Sequence, residues 1–85
     1  MEHRIATTYR ARAMLRAVAA GRAQITCSRE PDMFVDGLPC CDQAAARALI
    51  HAGLVRAARL GVAGERVPAA LSAEGRSALN PPEAA

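Results

Sequence analysis

From Thr8 to Ala20 the apolar residues Ala11, Met14, Leu15 and Val18 fall on one side of a helical projection, with Tyr9, Arg12 and Arg16 on the other. That spacing predicts an amphipathic helix. Thr7 or Thr8 can cap its first amides, and Gly21 is placed to end it in a left-handed conformation. The helical period then stops. Gln24–Ser28 and Met33–Val35 are short β-prone runs separated by the turn-forming Arg-Glu-Pro-Asp, which predicts a β-hairpin. Asp36-Gly37 offers a second tight turn, after which Pro39 restricts any further strand to a sheet edge.

A second helical period begins behind Asp42, a good N-cap, and runs over Gln43–Ala52. Ala45, Leu49 and Ala52 share its apolar side with Ala46 and Ile50 flanking, while Gln43, Arg47 and His51 line the opposite side at spacings of four. Gly53 marks its end. An extended run from Leu54-Val55 to Leu60 follows, interrupted by Gly61 and Gly64, and Arg66–Leu71 resumes the pattern as an edge strand with a proline at 68. Ser72 can cap a last short helix, Ala73–Leu79, which Asn80-Pro81-Pro82 ends, freeing residues 81–85 as a disordered tail. No internal repeat is present. The pattern predicts one α+β domain over residues 1–80, with three helices, a hairpin before the second helix and another after it.

Composition narrows what such a domain can be. At 85 residues the chain supports one core, and much of its 52% hydrophobic fraction is alanine, so that core is thin. Self-association through the first helix, with Ile5 and Leu79 beside it, is the expected supplement. Every basic residue is Arg, which together with the alanine load matches the codon bias of a high-GC genome. Charge is uneven along the chain. Residues 1–29 carry six Arg against one Glu, residues 30–42 carry Glu30, Asp32, Asp36 and Asp42 with no Arg, and residues 43–85 carry five Arg against three Glu. The formal net charge of +3 admits an anionic partner, although the acidic middle would repel phosphate. No run approaches the roughly 20 apolar residues of a membrane span, and no signal peptide is evident. The first two dozen residues share the composition of a mitochondrial transit peptide, but the same bias recurs after residue 43. A cytoplasmic location is expected.

The run AARALIHAGLVRAARLGVAGERVPAALSAEGRSAL, about residues 45–79, resembles the end of winged-helix transcription regulators. Its features are a helix closing in Ala-Gly-Leu-Val, two strands around a Gly-containing loop, and Leu-Ser-Ala-Glu-Gly-Arg opening a helix. The resemblance implies a recognition helix at 43–52 and a wing at 56–68. Under it, Gln43, Ala44, Arg47 and His51 would face the bases of double-stranded DNA, while Arg56, Arg59 and Arg66 would flank the wing. Arg47 could bind guanine bidentately, Gln43 adenine, and Ala44 a thymine methyl. A helix-turn-helix needs a helix just before the recognition helix, and that place holds the predicted hairpin. Either an irregular helix lies within residues 22–41 or the motif has been rebuilt.

Other chemistry finds little support. Cys27, Cys40 and Cys41, with His3 or His51, are thiolate and imidazole donors, but adjacent Cys40 and Cys41 do not make the usual Cys-x2–4-Cys zinc knuckle. Three cysteines leave one over in any disulfide scheme, so buried small hydrophobes are expected, with Cys27 and Cys40 facing each other across neighbouring strands. A cysteine with His51 as base is the one enzymatic pairing the composition allows, and nothing orients it. The expectation is therefore no metal, no cofactor and no enzymatic activity. Two readings remain. One is a DNA-binding regulator or accessory protein of a high-GC bacterium or its mobile elements, acting as a homodimer. The other is a protein-binding adaptor docking through the acidic hairpin 28–42, with Met33 and Phe34 exposed among Asp32 and Asp36.

Overall fold

A computed structural model of the chain describes residues 8–80. Helix α1 (Tyr9–Ala19) starts at Thr8, whose hydroxyl accepts the Ala11 N–H at 3.0 Å. It ends as Gly21 turns the chain at φ +78°. Strands β1 (Ala23–Thr26), β2 (Met33–Val35) and β3 (Leu38–Pro39) follow, then α2 (Gln43–His51), β4 (Val55–Ala57), β5 (Arg66–Leu71) and α3 (Ala73–Leu79). Among the described residues no helix stands between α1 and α2, so residues 22–41 form the hairpin rather than an irregular helix. Asp36 and Gly37 both take positive φ, +54° and +81°, as a two-residue hairpin turn between the paired Val35 and Leu38 requires.

All five strands form one antiparallel sheet in the order β3-β2-β1-β5-β4. Alternation along the strands sends Ile25, Met33, Val55, Val67, Ala69 and Leu71 to one face, where they meet the apolar sides of the helices in a single core. Gln24, Thr26, Phe34, Arg56, Arg66, Pro68 and Ala70 take the other face, and none of them is buried. Among the described residues the sheet is therefore covered on one side only.

Two expectations change here. Strand β5 is not an edge: it lies between β1 and β4, with Pro68 opposite Gln24. It tolerates proline because Cys27 donates to Glu65 O, which makes Gln24–Pro68 a non-hydrogen-bonded pair on the β1 side. On the other side Pro68 faces the end of β4, where it accepts from Ala58 N–H and the missing donor interrupts nothing further along the ladder. The α1 stripe is also consumed within one copy of the chain, since Ala11, Met14, Leu15 and Val18 are all buried in the core. The stripe is therefore core rather than an exposed seam, and Ile5 lies outside the described residues.

Helix α3 is fixed by Ser72. Its hydroxyl donates to Gly53 O at 2.6 Å and accepts the Gly75 N–H at 3.0 Å, joining the cap of α3 to the turn that leaves α2. Gly75 then lies so close to β4's entrance that a Cβ there would stand 2.1 Å from Leu54 O.

Candidate nucleic-acid interface

The polar side of α2 meets the β1–β2 loop and the end of the β2–β3 hairpin. Extending the β2–β3 register by one pair sets Met33 opposite Cys40, and Cys40 N–H donates to Met33 O at 2.9 Å. The return bond is bridged by Gln43. Its Oε1 accepts the Met33 N–H at 2.8 Å, while its Nε2 donates to Met33 O and Cys40 O, both at 2.9 Å. Gln43 thereby completes the ladder where the chain leaves β3 for α2.

One turn later Arg47 donates from Nε to Pro31 O at 3.1 Å and from Nη2 to Asp32 Oδ1 at 2.5 Å, with Glu30 at 3.9 Å. His51 Nε2 lies 3.2 Å from Arg29 O and 3.9 Å from Glu30. Gln43 and Arg47 are thus occupied within the fold and do not form the open base-reading surface expected of them. Of the α2 residues singled out for DNA, Ala44 and His51 remain exposed.

The acidic segment is neutralised in the same way. Asp36 accepts from Arg22 at 2.8 and 3.1 Å, and this pairing holds its carboxyl below the usual range. Asp42 caps α2 by accepting the Ala45 N–H at 3.0 Å and pairs with Arg10 at 3.0 Å. Its carboxyl is lowered too, first by the backbone bond and then by Arg10. Asp32 is held by Arg47. The acidic middle therefore repels phosphate less than its composition implies. The apolar contact expected of this segment is altered, because Met33 is fully buried rather than exposed. Phe34 is half-buried beneath the Arg66 guanidinium, 3.8 Å from the ring centroid.

The β4–β5 loop is braced by Glu65, which the sequence did not single out. Its carboxylate accepts from Arg59 at 2.9 Å and from Val62 N–H at 3.0 Å, and both bonds lower its pKa, Arg59 the more. Gly64 N–H donates to Cys27 O, so the loop is also tied to the end of β1. Leu60 projects from it at 96% exposure. Arg56 and Arg66 are exposed on the open face of the sheet. Among the described residues neither has a carboxylate partner.

The cysteines do not face each other: β2 separates Cys40 from β1, and Cys27 lies beyond the end of β1 beside the Gly61 backbone. All three are free, with Cys41 exposed. Among the described residues no cluster of three or more His, Cys, Asp or Glu side chains could hold a metal ion, and no helix is long and apolar enough to cross a membrane. No protein-family model, curated protein or solved structure matches the chain.

Proposed function

We propose that the protein is a small, non-catalytic DNA-binding module of winged-helix-like build that grips duplex through phosphate contacts from the β4–β5 side. The single observation that carries this reading is the pairing of charges. Five of the six described carboxylates are bound to arginines within the fold, whereas Arg56 and Arg66 share an open sheet face none of whose described strand residues is acidic. An unneutralised pair of guanidiniums on an uncovered face suits a polyanion. Arg59 adds a third cation at the wing but is shared with Glu65. The order of α1, β1, α2, β4, β5 and α3, with β1 paired to β5 and a loop between β4 and β5, supports the winged-helix comparison. The hairpin β2–β3 takes the place of its middle helix.

Base reading by Gln43 and Arg47 is not part of the proposal, because both side chains hold the hairpin. Binding should therefore be weakly sequence-selective. With two or three phosphate contacts, the slope of log K against log salt should be about −2 to −3. Titrating a labelled duplex at several salt concentrations tests this. Replacing Arg56 and Arg66 together by alanine should reduce the slope to between about −1 and zero, according to whether Arg59 contributes, while Arg47→Ala should leave it unchanged. Absence of binding to any duplex at about 50 mM salt would rule the reading out.

A further inference from the structure

At the opposite edge of the sheet from β4, the hairpin β2–β3 reaches past α1 and leaves a groove of about 420 Å³. Its accessible apolar lining is Ala13, Val35 and Cys41, over the buried Met14 and Ala17. Leu38 pairs with Val35 and so points to the same side, yet it is 69% exposed because no described helix extends over this edge. Arg10, Arg16 and Arg22 stand around the groove. Every described charged residue lining it is therefore an arginine.

We infer that this groove is a docking site for an acidic amphipathic helix of a partner protein, with aliphatic side chains on the apolar floor and carboxylates on the three arginines. Charge complementarity selects the partner. Arg10 and Arg22 are already paired with Asp42 and Asp36, but both pairs are solvent-exposed and each guanidinium retains unused N–H donors: Arg10 engages Asp42 through Nη1 alone. Arg16 has no ion pair among the described residues. The apolar floor disfavours a phosphodiester chain, which has no side chain to place there. A second copy of this chain is a poor occupant, since Glu74 is the only described carboxylate without an ion pair. Strand addition is disfavoured as well, because β3 is two residues long and includes Pro39, which has no N–H to offer. A helix lying beside α1 meets these limits.

The site lies apart from Arg56 and Arg66 and does not depend on DNA binding. The probe is a fluorescent synthetic helix of about 16 residues, with leucines along one side and glutamates flanking them, titrated into the full chain by anisotropy. A matched peptide with lysine in place of glutamate is the control. The glutamate peptide should bind with micromolar affinity and weaken in high salt, and the lysine peptide should not bind. Arg16→Glu and Leu38→Asp alter exposed positions and should each weaken binding at least tenfold, with an unchanged far-UV circular dichroism spectrum as the check on folding. An excess of duplex DNA should not displace the peptide. The proposal is overturned by no saturation at about 1 mM peptide, by equal binding of both peptides, by wild-type affinity in both variants, or by full displacement with duplex.

Discussion

Gln43 shows how a side chain can be drawn from a surface role into a structural one by what folds against it. Its spacing from Arg47 and His51 marks a polar helix side, and polar sides ordinarily face water. Here Gln43 supplies the acceptor for Met33 N–H, a backbone donor on a fully buried residue. Gln43→Ala leaves that donor without a partner and should cost about 1–3 kcal/mol in denaturant unfolding. An unchanged stability would mean that the hairpin end re-pairs without it. Gly75 is a second such position. The Cβ of alanine would meet the Leu54 carbonyl, a backbone atom that cannot move without shifting the start of β4. Gly75→Ala should therefore destabilise by about 3 kcal/mol, read as a fall in thermal midpoint of roughly 10–20 °C. A smaller change would show that α3 can shift away from β4 cheaply.

Among the elements, α2 and the β4–β5 loop depend on ionised carboxylates. Asp42 caps α2 and Glu65 braces the loop, and both have pKa values below their ordinary ones. A carboxyl lowered in the folded state binds its proton more weakly there than in the unfolded chain. Its stabilisation is therefore complete above the unfolded value, about 4, and is lost as pH falls through the lower folded value. Thermal midpoints should hold from neutral pH to about pH 5 and decline below about 4. Asp42→Asn keeps an oxygen that can cap the helix but does not titrate, so the decline should be shallower in that variant. An equal decline would assign the acid sensitivity to other carboxylates. The hairpin illustrates the same dependence on context. Asp36-Gly37 is a local turn signal that formed as its chemistry demands, whereas the role of Pro68 was decided by which strands flanked β5.

For the molecule as a whole, the burial of the α1 stripe changes what association can rest on. Leu15 is completely buried within one copy of the chain. Leu15→Ala should then cost about 2–5 kcal/mol, with an unfolding midpoint independent of protein concentration. A midpoint that rises with concentration would show that α1 stabilises an oligomer after all. The two edges of the sheet also differ in character, with unpaired arginines on the open face near β4 and an arginine-rimmed apolar groove beside β3. Partners at the two edges would not compete for the same surface.

The sequence by itself determined the three helices, the caps at Asp42 and Ser72 with Thr8 as one of two candidates for the first, the hairpin turn at Asp36-Gly37 and the exclusion of a helix-length membrane span, because each rests on neighbours within a few residues. Periodicity also marked most of the residues that became the core. It could not show which strands pair across long separations, so the central position of β5 and the placement of Pro68 came only with the sheet. Nor could it show what would cover the polar side of α2. Gln43 and Arg47 carry the same spacing whether they face water, DNA or a hairpin, and only the tertiary contacts show Gln43 at the end of the β2–β3 hairpin and Arg47 at the β1–β2 loop. The pairing of Asp36 with Arg22 and of Asp42 with Arg10 spans 14 and 32 positions. Such separations are invisible to any local window, and they turned an acidic stretch into an internally neutralised one.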